Sequence, residues 1–394
     1  MLRPRAPWWI YIVAVVYILT FLFNARQEFW GPANAGWVPE PSLFKVASVL
    51  PGGPMDKAGI RAGDVLETAD GYPLNGAANW SLARAHFERN RPIELQVRRG
   101  EQHLALKVLI AEPVWRTWNS SQYLPAIALQ VVRSVLLLLA IIVGFSRPQE
   151  LNARLAALMF AIGAVAEGYP SAGWAAALHH LPAVFAIPFG LATASCLLAS
   201  VVWLLFFSCF PQLWFSQRLR CVLAIVPGVL FGIPIVSSVI AMIYRPSALD
   251  RPWPVVLSAA SVRLMQDVAG VTPLLFLNKF PMYQPIAQAR LLEVWVATTL
   301  LYFATAFLIL VVNYCRLDEP RQRRRVGVLI LVQALLAVIV LHNFSVRNWA
   351  SWFGSSPPAL FSEAGFVGAA VLLLAVPLTI AHCVLIDRTH GITS

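Results

Sequence analysis

Two patterns divide the chain. Predominantly apolar runs cover residues 8–23, 124–145, 155–166, 188–210, 222–244, 291–314, 326–342 and 366–386. A helix needs about 20 apolar residues to cross a bilayer core, so these runs predict eight membrane spans. The first run is short and follows Arg3 and Arg5. It is long for the apolar part of a cleaved signal, contains Trp8, Trp9, Tyr11 and Tyr17, and has no clear small-x-small cleavage site. It reads as a retained anchor with its N-terminus in the cytoplasm. The third run is also short, and the pattern leaves its end near Glu167-Gly168-Tyr169-Pro170 open.

Residues 24–122 behave differently, alternating as a soluble domain does. A strand is expected over 43–50, a helical turn over 54–60 and a second strand over 64–69, closed by the Asp70-Gly71 turn. Trp80, Ala83 and Phe87 share one face of a helix predicted over 79–89, and strands over 93–98 and 103–110 form a hairpin across Arg99-Gly100-Glu101. Within this order lie Gly53-Pro54, Ala58-Gly59, Gly63-Asp64 and Asp70-Gly71. Their spacing resembles the core signature of bacterial PDZ domains in the permuted arrangement, over about 70 residues. The expected fold class is therefore a polytopic α-helical membrane protein of about eight spans with one small α+β PDZ-like domain. The divisions are an anchor at 1–24, an extracytoplasmic PDZ-like domain at 36–112, a seven-span bundle at 123–386 and a cytoplasmic tail at 387–394.

Composition and charge support this division. Hydrophobic residues make up 58% of the chain and charged residues 12%, where a soluble domain has roughly 25% charged. The net charge of +11 raises nucleic acid as a partner, but its distribution argues against one. The termini and the loops assigned to the cytoplasm hold 12 of the 30 Lys and Arg residues, including Arg147, Arg154, Arg218, Arg220 and the Arg316–Arg325 group. Residues 24–122 are nearly balanced, with 11 basic and 10 acidic side chains. This is the positive-inside pattern, and it sets the PDZ-like domain outside the bacterial inner membrane with both termini in the cytoplasm. A run at 255–268 is amphipathic and lies on the outer surface or dips into the bundle, while Trp349 and Trp352 mark an interfacial belt within 343–363.

No known chemistry of PDZ-linked membrane enzymes is legible. The chain has no HExxH for zinc and no soluble region able to hold a Ser-His-Asp protease domain, and Gly354-Ser355-Ser356 lies in an outer loop. His179 and His180 are adjacent, so on a helix they diverge by about 100° and chelate one ion poorly. The five cysteines lie in or beside apolar segments and read as small packing residues. The chain is expected to be no enzyme and to need no cofactor or metal. Intramembrane charges are a better lead: Arg133 falls near the middle of the second span, Glu167 ends the third and Glu293 begins the sixth. Either glutamate could pair with Arg133 inside the bundle, or snorkel from its span end.

PDZ domains bind an extended peptide by adding it to a sheet edge. The resemblance places that peptide between the 43–50 strand and the 79–89 helix, against Leu43, Phe44, Val46, Leu82, Ala83 and His86. The ligand class is an extracytoplasmic peptide or protein C-terminus. The usual glycine-rich carboxylate loop is replaced by Trp37-Val-Pro-Glu-Pro-Ser42, and Glu40 would repel a carboxylate. A structural module packed on the bundle is the alternative.

One span, an outer PDZ domain and seven further spans together resemble the sensor half of competence-type quorum-sensing histidine kinases and their phosphatase-linked relatives. Phe206, Phe207, Phe210 and Pro211, followed by a basic loop, look like the exit of a span in such sensors, and residues 376–387 are similar to the span leading to their output. That resemblance implies signal sensing, with a cytoplasmic kinase or phosphatase, as a homodimer or a separate partner, acting beyond the 394 residues. A membrane scaffold presenting the PDZ domain to envelope proteins is the runner-up. A transporter ranks third, since no paired broken helices are legible in matching halves.

Overall fold

The computed structural model describes residues 6–33, 35–39, 45–74, 83, 87–117, 120–165, 178, 181–210, 215–243, 287–353 and 374–385. It opens on helix α1 (Trp8–Trp30), which runs well past the expected end of the anchor. No proline or glycine interrupts the chain until Gly31, whose amide closes the last turn on the Gln27 carbonyl.

The soluble domain contains strands β1 (Trp37–Pro39), β2 (Val46–Val49), β3 (Val65–Ala69), β4 (Tyr72–Pro73), β5 (Pro92–Arg99) and β6 (Gln102–Leu109), with a one-turn helix α2 (Pro54–Lys57) after β2. The main sheet is antiparallel in the order β4-β3-β5-β6, and β1 pairs with β2 in a separate ribbon. A Lys45–Val65 bridge and two backbone hydrogen bonds, Val46 N to Asp64 O and Gly63 N to Val46 O, join the ribbon to the sheet. Strict alternation along β5 sends Ile93, Leu95 and Val97 into the core. They meet Val46, Met55, Ile60, Leu66, Ala83, Phe87 and Val108 there. Asp70 (φ 48°) and Gly71 (φ 80°) form the tight turn that the sequence predicts between β3 and β4.

Two expectations change. Phe87 and Glu88 are not helical, so the helix predicted through Arg89 stops earlier, before a turn at Arg89 and Asn90 where Asn90 has φ 64°. Strand β1 was not expected at all.

Gly63 has φ 92° and nothing within 4 Å of where a Cβ would sit. Gly63→Ala is therefore expected to cost about 1–2 kcal/mol from backbone strain alone. Thermal unfolding of the full chain, followed by hydrogen exchange of the β3 and β5 amides, checks this.

Beyond the soluble domain the described residues are helical: α3 (Ser120–Ser146), α4 (Leu151–Val165), α5 (Ala183–Ala194), α6 (Ala199–Cys209), α7 (Gln217–Ile243), α8 (Ala287–Arg316), α9 (Pro320–Phe353) and α10 (Leu374–Leu385). Among the described residues three helices are long and apolar enough to cross a membrane: Trp8–Trp30, Ala126–Ser146 and Thr298–Arg316. A fourth span arises if α5 and α6 are joined. The eight expected spans are thus not shown; α4 and α10 are short.

The run expected as a single span over 188–210 bends by 64° between α5 and α6, through a 3-10 turn at Ser195–Leu198. Pro188 also lies within α5. The belt expected from residue 343 is helical through Phe353, a stretch without glycine or proline. The bundle core gathers Val143, Phe160, Phe206, Phe207, Ala306 and Leu310, with Phe206 stacked on Phe210 at 5.5 Å. The amphipathic run at 255–268 and the pair His179-His180 lie outside the described residues.

Candidate peptide-binding site

Strand pairing decides where a peptide can add. β2 is hydrogen-bonded to β1 along one edge, in the register Trp37 to Val49 and Val38 to Ser48, and is tied to the start of β3 along the other. The strand expected to receive the peptide therefore has neighbours on both sides. Among the described residues β1 is the outer strand of the ribbon. Short apolar β1, with Trp37 and Val38 between Gly36 and Pro39, offered no alternation long enough to be read as a strand.

Of the residues proposed from the sequence, Val46 and Ala83 are each 1% exposed and lie in the domain core. Leu43, Phe44, Leu82 and His86 lie outside the described residues, as does Glu40. The signature residues are described in full. Pro54 starts α2 and Gly53 is its N-cap, while Ala58 and Gly59 end it with amides donating to the Pro54 and Asp56 carbonyls. Asp70 and Gly71 make the β3–β4 turn, and the Asp70 carboxylate accepts from the Glu94 amide at 2.8 Å.

The signature aspartate does more than end a turn. Asp64 is 1% exposed, and its Oδ2 accepts the Arg61 amide at 2.9 Å. Arg99, at the tip of the β5–β6 hairpin, donates Nε to Oδ1 at 2.7 Å and Nη2 to Oδ2 at 2.8 Å, and that Nη2 also reaches the Gly59 carbonyl at 2.7 Å. One guanidinium thus fastens the loop after α2 to the end of β5, beside the start of β3. Burial alone would push the Asp64 carboxyl up, but the hydrogen bonds from Arg99 and Arg61 outweigh it and hold the carboxyl below its ordinary value. The same carboxylate raises the Arg99 guanidinium above its ordinary value.

In the bundle Arg133 is buried on α3 and donates Nη1 to Glu28 Oε2 on α1. Among the described residues Glu28, rather than Glu167 or Glu293, is the carboxylate found beside Arg133. Glu167 lies outside the described residues, and only the backbone of Glu293 in α8 is described. Glu28 was missed because the anchor was ended at residue 24. In the intact helix Tyr17, Thr20, Asn24 and Glu28 recur every three or four residues along an apolar segment. Each finds a polar contact: Tyr17 with Ser195, Thr20 with the Val16 carbonyl, Asn24 with Thr193 and the Val165 carbonyl, and Glu28 with Arg133.

His103 Nδ1 lies 2.9 Å from Glu67 Oε2, but the imidazole is 65% exposed and no serine joins the pair. Among the described residues, then, no Ser-His-carboxylate triad forms around it, and no group of three or more His, Cys, Asp or Glu is placed to hold a metal.

No protein-family profile and no solved structure matches the chain. Over 89 residues it is 34% identical to a protein of Synechocystis sp. described as "Putative serine protease HhoA". The match covers 23% of this chain and 23% of that protein, a span compatible with a PDZ domain. The expectation that the chain stands apart from enzymes is corrected by this kinship with a protein described as a protease. The likeness to sensor kinases gains no support from it.

Proposed function

We propose that this chain is a membrane-embedded peptide-recognition protein whose PDZ-like domain captures extended peptides or protein C-termini at the β1 edge. The observation behind this reading is the position of β1 at the rim of a domain with the PDZ signature. The eight-span topology, with the domain outside the inner membrane and both termini in the cytoplasm, belongs to the same proposal and rests on the apolar runs and the arginine distribution. Capture would serve signal relay, shifting the helices against a cytoplasmic kinase or phosphatase. The scaffold alternative needs only the capture. The similarity to a protein described as a serine protease favours a second use of the same edge, presentation of captured chains for proteolysis.

A photo-cross-linking amino acid at position 38, in the full chain expressed in cells, tests the common step. Extended or C-terminal segments of envelope proteins are expected to be captured at least tenfold above the same probe at exposed Lys57 on α2. Equal capture at the two positions overturns the proposal. Envelope chains cleaved beside the captured segment would favour the proteolytic use, and intact ones the relay or scaffold.

A further inference from the structure

A cleft of about 390 Å³ opens between α1, α3 and α4. This is within the roughly 300–1,000 Å³ range of sites that hold small molecules. Its walls are almost wholly apolar, and small residues, Ala14, Ala140, Gly144, Ala157 and Ala161, make the room. The gap is fixed by the backbone: α3 and α4 approach so closely at Gly144 that a Cβ there would lie 3.2 Å from the Ala157 methyl. Neither helix can slide in to fill it.

One charged side chain lines this space. Arg154, on the first turn of α4, lies over the Trp9 ring with its guanidinium carbon 5.4 Å from the centroid. Its Nε donates to the Pro148 carbonyl and Nη2 to the Gln149 side-chain oxygen. Every one of these partners is neutral, and Nη1 has none among the described residues. A guanidinium with no ion-pair partner among the described residues, at an apolar cleft, calls for an anion joined to a hydrocarbon chain; the nearby Glu150 carboxylate is taken by Arg147. Guanidinium matches phosphate oxygens in a fork, and a Trp ring beside it fits the level of lipid headgroups. An unfilled gap between helices forfeits its dispersion contacts, so an occupant is favoured.

We infer that this cleft binds an anionic phospholipid of the bilayer, one acyl chain lying against Ala14 and Ala161 and the phosphate on Arg154. It is independent of the peptide reading, because the cleft and the PDZ-like domain share no residue.

The test is native mass spectrometry of the full chain in detergent, with phosphatidylglycerol and phosphatidylcholine added in equal amounts. One phosphatidylglycerol per chain is expected to be retained at least tenfold over phosphatidylcholine. Arg154→Gln is expected to abolish the preference, and Arg218→Gln, on the first turn of α7, to leave it unchanged. Ala14→Phe is expected to reduce retention of both lipids. Should that variant fold poorly, dihexanoyl phosphatidylglycerol on the unaltered chain reads the same point and is expected to be lost where the long-chain lipid stays. Equal retention of the two lipids, unchanged preference in Arg154→Gln, or displacement of phosphatidylglycerol by laurate at equal concentration each overturns the inference.

Discussion

Glu28→Ala is expected to destabilise the helical bundle by about 3–5 kcal/mol, because it strands a buried cation. Arg133 is 5% exposed, and Glu28 Oε2 is its carboxylate partner. The Arg133 Nε already lacks an acceptor; Gln130 Oε1, one turn away on α3, lacks a donor, but it is neutral and cannot replace the lost carboxylate charge. A well-packed apolar side chain in place of both partners avoids that penalty. The double variant Glu28→Ala with Arg133→Met is accordingly expected to recover most of the lost stability. Thermal unfolding of the four proteins of this cycle in detergent measures the coupling. Additive losses would show that the ion pair does not join α1 to α3.

The second large effect lies at Asp64. Asp64→Ala removes the acceptor for the Arg61 amide and for two Arg99 nitrogens, and is expected to cost about 2–3 kcal/mol. The sign of the pH dependence follows from the lowered carboxyl. The unfolded carboxyl titrates at about 3.9, so this contribution is complete above that pH and is lost as the pH falls through the lower folded value. Asp64→Asn is expected to remove that slope. Arg99→Met is expected to weaken it, because the Arg99 hydrogen bonds and charge that hold the carboxyl down are gone. Hydrogen exchange of the β3 and β5 amides in the full chain, compared at pH 3, 4 and 6, checks both variants. A slope unchanged by either substitution would show that Asp64 does not govern acid stability.

Much of the soluble domain was legible because its signals are local. The alternation along β5, the proline that opens α2 and the Asp70-Gly71 turn each act within a few residues, and each recurs in the structure within a residue or two of its expected place. The candidate site was less legible. β1 is three residues long, and its strand character comes from pairing with β2 rather than from its own pattern. The Arg99–Asp64 contact spans 35 positions, a separation that no residue spacing encodes.

The polar stripe on α1 falls between these cases. The spacing of Tyr17, Thr20, Asn24 and Glu28 is visible in the sequence once the helix is continued past residue 24. The partners of Tyr17, Asn24 and Glu28, on α3, α4, α5 and the turn after α5, are not. The 64° break between α5 and α6 likewise sits in an apolar run that reads as one span.

The sequence by itself determined that apolar runs dominate the chain, that a PDZ-type signature interrupts them, and which turns and strands that signature builds. Hydrophobic periodicity and turn chemistry are properties of neighbouring residues, and they act before any long-range contact forms. It took the tertiary structure to place β1 at the rim among the described residues, Glu28 against Arg133, and a cleft between α1, α3 and α4. Those outcomes depend on which surfaces meet in space, where desolvation and close packing select partners far apart along the chain.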